Sequence, residues 1–379
     1  MYIRDPIYGN VEISDTELKI IESAQMQRLR YIKQTGFAYL VFPGANHTRF
    51  EHSLGTMQAT KELAENLHWE ENEFSYAALL HDIGHGPFSH QSEPLLKKYL
   101  KKTHEDLGRE IINNSGISDI IADSGASLKK VMDCICGAGT CDIISGALGS
   151  DRIDYLLRDS YYTGVAYGVI DFPRIKSKVT KHGGRIAIYE QGISAAESLL
   201  LARYFMFENV YMHHAQLIAG EMFAKAASSA IENGDIDPEL FAHMSDEEAL
   251  IALSRIKGSA SLIGRIRQRR LFKRVFNGPL GCRGKLCKEE IENALSRAGI
   301  RDENYILATY DMKWPKDDIA VVDRNNKYMG MLGNLSPLVG TLAGAQGKKT
   351  VLIVAAEPKS VERARRAIER YTSSKNADI

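Results

Sequence analysis

The sequence predicts a mainly α-helical protein with a smaller α+β lobe near its C-terminal end. Two observations carry this prediction: apolar residues recur at helical spacing over much of the first 276 residues, and strand-like apolar runs are concentrated after residue 300. Between these parts, glycines and a proline mark a break near 277–285. We therefore expect a helical core over 1–276 and an α+β lobe over 286–379.

The core is predicted as a series of amphipathic helices. The first covers 16–35 and ends at Gly36. Its apolar stripe consists of Leu18, Ile21, Met26, Leu29 and Ile32. Thr103 and Ser150 are predicted N-caps of later helices. The helices that follow these two caps are expected at 104–114 and 150–164. Two further helices are expected at 48–68 and 72–83.

The remaining elements alternate between helices and short strands. A small hairpin is predicted near 171–192, with His182-Gly183-Gly184 as its turn. Ser194 and Glu197 form a capping box that opens a long helix to about residue 233. Further helices are expected at 238–256, 259–275, 288–298 and 359–371. Strands are expected at 305–310, 319–322 and 350–354.

Composition excludes several classes of protein. Lys+Arg and Asp+Glu are both 48, and a net charge of zero argues against a protein that mainly grips nucleic acid. No apolar run approaches the roughly 20 residues that span a bilayer, so we expect no membrane association. The N-terminus does not resemble a signal peptide, which makes the cytoplasm the expected location.

The decapeptide from His81 to His90 contains three histidines and one aspartate behind an apolar helical run. Polar groups beside a core need a metal or a substrate as partner, because burying them alone costs free energy. His52 lies upstream and Asp151 downstream. The set His52, His81, Asp82 and Asp151 suits a divalent cation, and accommodates Mn, Fe, Ni, Zn or Mg.

Other polar residues suit phosphate chemistry. Guanidinium groups match phosphate oxygens bidentately, which makes Arg49, Arg152 and Arg203 candidate substrate contacts. Histidines exchange protons near neutral pH and are candidates for proton transfer or phosphate binding. These histidines are His85, His90 and His104. Glu105 is a candidate for orienting His104. By contrast, we expect His47 and His68 at the surface or in loops.

Several motifs resemble those of the HD-domain phosphohydrolases. Arg49-Phe50-Glu51-His52-Ser53, then His81-Asp82, then Asp151 is similar to the H…HD…D pattern of that superfamily. The similarity is strongest to the deoxynucleoside triphosphate (dNTP) triphosphohydrolases, whose animal members also carry a sterile-alpha-motif domain that we do not expect here. It covers residues 1 to about 276, and weakly the C-terminal lobe. The stretches that carry it are Asp5–Gly9, Gln27–Gln34, Phe42–Ala45 and His81–His90.

The resemblance implies a helical HD-domain core that hydrolyses a dNTP to deoxynucleoside and inorganic triphosphate. It implies one divalent metal at the four residues above, magnesium accompanying the nucleotide, and a homo-oligomer, either dimer or tetramer. The residues it places near the triphosphate are Arg49, Arg152, His85, His104 and Tyr155. His90, with Glu93 nearby, would protonate the 5′ leaving oxygen or help drive the attack.

The resemblance also assigns residues to the sugar and to an activator. Gln34 and Asp159 would hold the 3′-hydroxyl, Tyr211 would pack on the sugar, and Arg203 would reach a phosphate or the base edge. Relatives bind nucleotide activators between subunits. The matching positions here are Glu22, Gln27, Arg30, Arg269 and Lys273. The basic run at 265–274 is equally consistent with a solvated helix face.

Other functions stay open. A different HD phosphohydrolase would act on nucleoside monophosphates, cyclic dinucleotides or alarmones. A nucleic-acid-binding protein or nuclease would use the basic run near 265–274, although the zero net charge argues against it. A catalytically dead nucleotide sensor is a third alternative, disfavoured by the complete His/Asp set.

Overall fold

The computed structural model describes residues 1–69, 72–137, 142–280, 287–312, 319–346 and 349–377. It is mainly helical with small sheets, as predicted. The chain divides into two compact units, each assembled from segments distant in sequence. Unit 1 comprises Met1–Tyr211, Pro238–Ala249 and Pro315–Leu342. Unit 2 comprises Met212–Asp237, Leu250–Trp314 and Ala343–Ile379.

The α-helices are numbered in chain order. The first ten are α1 (Asp15–Glu22), α2 (Ala24–Arg28), α3 (Arg49–Leu67), α4 (Asn72–Leu80), α5 (Glu93–Tyr99), α6 (His104–Asn113), α7 (Ile117–Asp123), α8 (Leu128–Ile135), α9 (Asp142–Ser145) and α10 (Ser150–Thr163). The others are α11 (Phe172–Lys178), α12 (Ile193–Met206), α13 (His214–Glu232), α14 (Pro238–His243), α15 (Asp246–Ser254), α16 (Lys257–Arg267), α17 (Lys288–Arg297), α18 (Leu332–Leu335), α19 (Pro337–Gln346) and α20 (Val361–Ala377).

Shorter helical turns and strands complete the fold. Turns of 3₁₀-helix lie at Leu29–Tyr31, Gly36–Leu40, Ser89–Gln91, Glu190–Gly192, Asp302–Asn304 and Pro358–Ser360, and a π-helical turn at Phe207–Tyr211. The strands are β1 (Tyr2–Asp5), β2 (Gly9–Glu12), β3 (Val179–His182), β4 (Arg185–Tyr189), β5 (Lys273–Leu280), β6 (Tyr305–Met312), β7 (Ala320–Val322), β8 (Tyr328–Met331) and β9 (Lys349–Ala356).

The centre of unit 1 is helix α3, which packs against α4 and α10. A capping box begins α3 where the sequence predicted a helix: the Glu51 carboxylate accepts from the Thr48 backbone N–H at 2.6 Å. Gly55 allows the close approach of α10, because a Cβ there would lie 1.9 Å from Asp154 Oδ1. Apolar side chains of α3, α4 and α10 are buried around this contact. The predicted metal ligands therefore lie on, or directly after, tightly packed helices.

Of the three sheets formed by the described residues, two belong to unit 1. Strands β1 and β2 form an antiparallel ribbon, and the second sheet has the order β3-β4-β7-β8. The turn between β3 and β4 has Gly183 and Gly184 at φ values of 59° and 77°, a left-handed backbone that glycine adopts readily. Strand β7 pairs in parallel with β4, with Ile188 opposite Val321. Because of this pairing, residues 315–342 belong to unit 1, so the compact units do not coincide with the predicted parts 1–276 and 286–379.

Unit 2 contains the third sheet, of order β5-β9-β6, with antiparallel neighbours. Helices α17 and α20 pack with it around a buried apolar cluster that includes Leu295, Leu307, Val354 and Ile368. The predicted strands at 305–310, 319–322 and 350–354 and the helix at 288–298 are all present in the described residues. Of the predicted break at 277–285, residues 277–280 belong to β5, and 281–285 lie outside the described residues.

Several predicted helices were wrong in extent. The helix at 16–35 is broken, because the Ser23 hydroxyl caps α2 and the backbone turns at that residue. The helix at 259–275 ends at Arg267; Arg269 has a left-handed φ of 52°, and β5 follows through its pairing with β9. The long helix from Ser194 starts at Ile193 without the predicted capping box and is interrupted by the π-helical turn. Residues 172–178 of the predicted hairpin are helix α11.

Every helix in the described part of the chain is too short or too polar to cross a membrane.

Candidate metal centre and active site

The four predicted metal ligands come from three elements of unit 1. His52 lies in α3 and is fully buried. Helix α4 ends at Leu80, so His81 and Asp82 follow in the turn after its last residue. Asp151 lies in the first turn of α10. Residues that are 99 positions apart in sequence are thus brought to one place by the packing of α3, α4 and α10.

The distances between their polar atoms are short. His52 Nε2 lies 3.1 Å from Asp151 Oδ1 and 3.5 Å from Asp82 Oδ2. His81 Nε2 lies 3.5 Å from Asp82 Oδ2 and 3.7 Å from Asp151 Oδ1. Each of the two imidazole nitrogens therefore lies within 3.7 Å of an oxygen of both carboxylates.

This donor set fits a divalent cation. The Nε2 atoms of His52 and His81 are buried and have no hydrogen-bond partner among the described residues. A buried nitrogen in that state costs free energy unless something binds it, and neutral imidazole with carboxylate is a common ligand combination for divalent metals. His52, His81 and Asp82 meet the spacing expected for ligands of one ion.

A second row of charges stands behind His52. Asp154 accepts from His52 Nδ1 at 2.7 Å, which leaves Nε2 facing the other ligands. The same carboxylate receives two hydrogen bonds from Arg158, at 3.0 Å and 2.9 Å. Arg158 is fully buried and also donates to Asp5 at 2.8 Å. The network fixes the ring orientation of His52, as outer partners of metal-binding histidines do.

The ionisation of these groups follows from their neighbours. Burial lowers the pKa of His52, but the carboxylates of Asp151 and Asp154 outweigh it and raise that pKa to about 10. Burial alone would raise the pKa of Asp82, but the Arg49 guanidinium and His81 hold it well below its usual range. Asp82 is therefore a carboxylate at neutral pH, as a metal ligand must be.

Arg49 connects the ligand cluster to the neighbouring loop. Its guanidinium pairs with Asp82, its Nε donates to Ser89 Oγ at 2.8 Å, and it reaches the Gln34 carbonyl at 3.4 Å. Gln34 is itself buried, and its Oε1 has no hydrogen-bond partner among the described residues. Arg49 and Gln34, two predicted substrate residues, thus lie next to each other, and Arg49 also contacts the predicted metal ligand Asp82.

The predicted proton-transfer residues form a cluster on the other side of Asp82. His85 Nε2 lies 3.2 Å from Asp82 Oδ1, and the rings of His85 and His104 stack at 4.0 Å. Glu93 binds His104 Nδ1 and lies 3.7 Å from His90 Nδ1. Glu105 lies 3.5 Å from His104 Nε2. His90 is the most accessible of these side chains, with 64% of its surface exposed.

The protonation of the stacked pair is asymmetric. Burial, together with Arg49, holds the pKa of His85 well below its usual value, so His85 is neutral near pH 7. Burial acts in the same direction on His104, but its hydrogen bond to Glu93 outweighs this and raises the pKa of His104. A neutral imidazole therefore lies face to face with one that holds its proton more firmly.

The stacking also bears on metal binding. Asp82, His85 and His104 lie close enough together for one ion. However, the two rings are within 13° of parallel, so their in-plane lone pairs do not meet at a single point. This geometry suits contacts to separate oxygens of an anion better than shared coordination of a cation.

A third group of predicted residues lies along α10 and α12. Tyr155 and Arg203 interact, and Arg152 lies close enough to affect the pKa of both. The Arg203 Nε atom is buried without a hydrogen-bond partner among the described residues, and its guanidinium lies 4.3 Å from the centre of the Phe207 ring. Arg152 donates to the Ala147 carbonyl at 3.0 Å.

Asp159 is the centre of a further cluster. Tyr211 donates its hydroxyl to Asp159 Oδ2 at 2.6 Å, so the two predicted sugar contacts are adjacent. His47 Nε2 lies 2.7 Å from Asp159 Oδ1. His47 lies in the loop before α3, which was one of the two expected places, but it is not at the surface: it is buried, and its ring stacks on Tyr162 at 4.6 Å. His68 is exposed at the end of α3, as expected.

The candidate activator residues are divided between the two units. In unit 1, Arg30 donates to the Gln27 side chain at 2.8 Å and lies over the Phe50 ring, while Glu22 is exposed. Arg269 and Lys273 are exposed residues of unit 2. Since the helix predicted over 259–275 ends at Arg267, these two residues do not share a helix face.

Sequence reasoning missed three residues that support the site. Asp154 and Arg158 carried a signal, because an acidic and a basic residue at i and i+4 follow Asp151 on the same helix. His47 carried a weaker one, its position two residues before Arg49. The role of these residues depends on tertiary contacts, which spacing along the chain does not reveal.

One large cavity is not lined by any of the predicted site residues. A cavity of about 1160 Å³ lies entirely in unit 2, and its lining includes Lys225, Arg265, Phe272 and Glu357 but none of the predicted catalytic, metal or substrate residues. Two of its cations are already paired, Lys225 with Asp302 and Arg265 with Glu357. The His/Asp cluster is therefore identified by its chemistry and not by cavity size.

Comparisons with known proteins agree on a family. Residues 49–132 match the HD domain, and residues 170–376, more than half of the chain, match the HD associated region. An uncharacterised protein of Methanocaldococcus jannaschii is 43% identical over 278 residues, which cover 72% of this chain and 59% of that protein. A deoxynucleoside triphosphate triphosphohydrolase SAMHD1 homologue of Dictyostelium discoideum is 31% identical over 309 residues, 72% of this chain and 59% of its own.

A solved structure extends the comparison to most of the chain. The crystal structure of a phosphohydrolase from Bacteroides thetaiotaomicron superposes with a TM-score of 0.77 at 25% identity, covering 94% of this chain and 99% of that one. By contrast, the chain spans about three-fifths of the two curated relatives. The matching HD domain begins at Arg49 and contains His52, His81 and Asp82, and the associated region accounts for most of the rest; the chain therefore belongs to the HD-domain phosphohydrolase family.

Proposed function

We propose that this protein hydrolyses deoxynucleoside triphosphates to deoxynucleoside and inorganic triphosphate. The observation that carries the proposal is that the Nε2 atoms of His52 and His81 each lie within 3.7 Å of oxygens of both Asp82 and Asp151, with Arg49 paired to Asp82. The similarity to a relative named as a dNTP triphosphohydrolase supports this substrate class.

In the proposed reaction, His52, His81, Asp82 and Asp151 hold the divalent cation. When bound, the cation supplies Lewis-acid polarisation of a phosphorus–oxygen bond. Arg49, Arg152 and Arg203 balance the negative charge of the triphosphate, for which guanidinium groups have the matching donor geometry. The stacked rings of His85 and His104 would contact further oxygens of the triphosphate.

Bond breaking requires a proton at the leaving oxygen. Water adds to the α-phosphorus, the bond from that phosphorus to the 5′ oxygen breaks, and the deoxynucleoside leaves with a proton on that oxygen. His90 is accessible and lies beside Glu93, which suits it to donate this proton. Glu93 also raises the pKa of His104, which favours the protonated ring next to the phosphates.

The sugar is assigned to the cluster around Asp159. The Asp159 carboxylate is oriented by His47 and Tyr211, and Gln34 has an unpaired buried oxygen among the described residues. A carboxylate and an amide oxygen both accept hydrogen bonds, as recognition of a 3′-hydroxyl requires. Tyr211 would lie against the sugar ring.

A product panel tests the function. The purified chain would be incubated with each of four dNTPs and four NTPs, with Mn²⁺ and Mg²⁺ supplied separately, and the products separated by ion-exchange chromatography. We expect inorganic triphosphate and deoxynucleoside from at least one dNTP. Pyrophosphate, monophosphate products, or turnover only of monophosphates, cyclic dinucleotides or alarmones would instead favour another HD phosphohydrolase.

Variants tie that activity to the cluster. His81→Ala and Asp82→Ala are each expected to lose metal and activity with the fold retained, measured by metal analysis, turnover and circular dichroism. His68→Asn is the matched control, since His68 is exposed and asparagine tolerates its left-handed backbone. Retained activity in both cluster variants would contradict the site.

An activator site and a homo-oligomer, dimer or tetramer, are further parts of the proposal. The hydrogen-bonded Gln27 and Arg30 offer donors for a nucleotide. Turnover of one dNTP and the molar mass would be measured with and without GTP or dGTP. No change in either quantity would remove the activator hypothesis. A cytoplasmic location is also part of the proposal.

A further inference from the structure

The loop that follows His81 and Asp82 is held from outside by a residue distant in sequence. Arg28, next to the start of a 3₁₀ turn, donates to the carbonyl oxygens of Ile83 at 3.2 Å and His85 at 2.6 Å. The same guanidinium donates to the Met244 carbonyl at 3.1 Å. Arg28 thus ties the loop to the segment at 244–246, which returns to unit 1 from more than 150 residues later in the chain.

Asp246 makes the second tie. Its Oδ1 accepts from the Phe88 backbone N–H at 2.6 Å, and its Oδ2 accepts from the Lys33 backbone N–H at 2.9 Å. Asp246 is buried, and burial raises its pKa to about 6, so the group is still a carboxylate at neutral pH. The Asp246 side chain therefore joins the segments at Lys33 and Phe88, whose next residues, Gln34 and Ser89, contact Arg49.

The loop needs such a tie because of its backbone. Phe88 and Ser89 are consecutive non-glycine residues with φ values of 56° and 55°. Residues other than glycine rarely adopt this left-handed backbone conformation. It persists only where the surrounding structure stabilises it. In this conformation Ser89 donates its hydroxyl to the Lys33 carbonyl at 2.7 Å and accepts from Arg49 Nε at 2.8 Å.

We propose that Asp246 is a positioning residue, which fixes the strained Phe88–Ser89 backbone so that Ser89 holds Arg49 in its phosphate-binding orientation. The inference rests on the proposed function only in naming phosphate as the partner of Arg49. Asp246 acts through three intermediate groups: the Phe88 amide, the Lys33 amide and the Ser89 hydroxyl. Arg28 supports the same loop three residues before Phe88, through the backbone carbonyl of His85.

A purely structural role in helix α15 does not account for these contacts. Helix α15 has its own cap: the Ser245 amide donates to Glu248 Oε2 at 2.8 Å, and the Glu248 amide donates to Ser245 Oγ at 3.3 Å. The Asp246 carboxylate takes no part in that cap and faces Lys33 and Phe88. Glu248 therefore provides a matched control on the same helix turn.

The test compares Asp246→Asn with Glu248→Gln in the full chain. An amide has one oxygen acceptor, so Asp246→Asn can keep one of the two backbone bonds and leaves the other donor facing an NH₂ group. We expect metal content to stay at the wild-type level and the KM for the dNTP to rise by about tenfold, the scale of losing one well-oriented charge-assisted contact. Glu248→Gln should lower the melting temperature without changing KM.

A second readout does not depend on turnover. Amide hydrogen exchange, followed by mass spectrometry, should be faster in the peptide containing Phe88 and Ser89 for Asp246→Asn, and unchanged there for Glu248→Gln. Equal exchange and equal KM in Asp246→Asn and wild type would overturn the inference. Faster exchange in a protein whose wild type hydrolyses no dNTP would leave the loop restraint standing and remove the proposed function instead.

If Asp246→Asn does not fold, Ser89→Ala provides the decisive variant. It removes the hydroxyl that accepts from Arg49 and donates to the Lys33 carbonyl, and it leaves the Asp246 carboxylate in place. We expect it to raise KM to a similar extent with metal content unchanged, and an unchanged KM would overturn the inference.

Discussion

At the scale of single residues, His52 shows how a hydrogen bond at one ring nitrogen orients the other nitrogen of a candidate metal ligand. Its Nδ1 is bound by Asp154, which is itself held by two hydrogen bonds from Arg158. A buried arginine with two aspartates is a costly arrangement unless every partner is in place. The arrangement therefore fixes which face His52 turns towards Asp82 and Asp151.

We predict that Asp154→Asn weakens metal binding. The amide leaves Arg158 with one fewer anionic partner and no longer specifies the orientation of His52. Loss of such an outer partner typically costs about 10–100-fold in metal affinity. The Kd for Mn²⁺ would be measured by isothermal titration calorimetry.

Asp142→Asn is the control for that experiment. Asp142 is also buried, and it accepts from the Ile186 amide at 2.8 Å, away from the predicted ligands. This variant should lose stability but keep its Kd for Mn²⁺. An equal Kd in Asp154→Asn and wild type would show that the network does not orient His52.

At the scale of elements, the site depends on how closely α3 and α10 approach. The ion pair of Asp154 and Arg158 lies against α3 at Gly55, where any side chain would collide with it. Helix capping determines where each helix begins, but this contact determines their separation. The distance between His52 and Asp151 follows from it.

We predict that Gly55→Ala destabilises unit 1 by more than about 3 kcal/mol, because overpacking is combined with displacement of a buried ion pair. The added Cβ would lie 1.9 Å from Asp154 Oδ1 and 2.2 Å from an Arg158 nitrogen. Urea unfolding followed by circular dichroism would measure the loss.

Gly116→Ala serves as the comparison for that measurement. Gly116 precedes α7, and a Cβ there has no atom within 4 Å. Its free energy of unfolding should change by less than about 1 kcal/mol. If both variants were equally stable, the close approach at Gly55 would not be required.

At the scale of the whole molecule, neither compact unit is a continuous stretch of chain. Unit 1 recruits residues from beyond 315, and strand β7 covers the edge of β4 with two fully buried valines, Val321 and Val322. The predicted division into 1–276 and 286–379 remains a prediction about folding, and it can be tested directly.

We predict that a chain ending at residue 276 is less stable than the full chain. It lacks β7 and β8, so β4 would expose an unpaired edge and the apolar side chains that Val321 covers. Fully burying one valine contributes about 1.5–3 kcal/mol, so the loss should be several kcal/mol.

Thermal unfolding and gel filtration would measure this difference. The full-length variant Tyr328→Asn is a useful comparison, because Tyr328 lies on β8 but is 45% exposed. It should unfold close to the wild-type temperature. A truncated chain with the stability and metal binding of the full chain would establish 1–276 as an independent domain.

Local signals explain which elements were predictable. Helices α3, α6 and α10 lie where they were expected, because apolar spacing and, for α3 and α6, capping residues act within a few positions of each other. The predicted N-cap Ser150 was wrong: it is the first residue of α10, and Gly149 occupies the N-cap position without a side-chain hydrogen bond. The helix predicted at 259–275 was too long, because arginine and lysine are good helix formers and local propensity therefore extended the predicted helix past Arg267. Pairing of β5 with β9, about 75 residues away, decided that stretch.

The sequence by itself determined the mainly helical class, the family and the candidate ligands, because motif spacing and composition are local properties. Only the tertiary structure decided that His47 is buried against Asp159, that Arg158 stands behind His52, and that Asp246 restrains Phe88. These roles arise from contacts between segments more than 100 residues apart or from burial. Neither a long-range contact nor the burial of one polar residue leaves a regular pattern in the sequence, since both depend on residues that are distant along the chain.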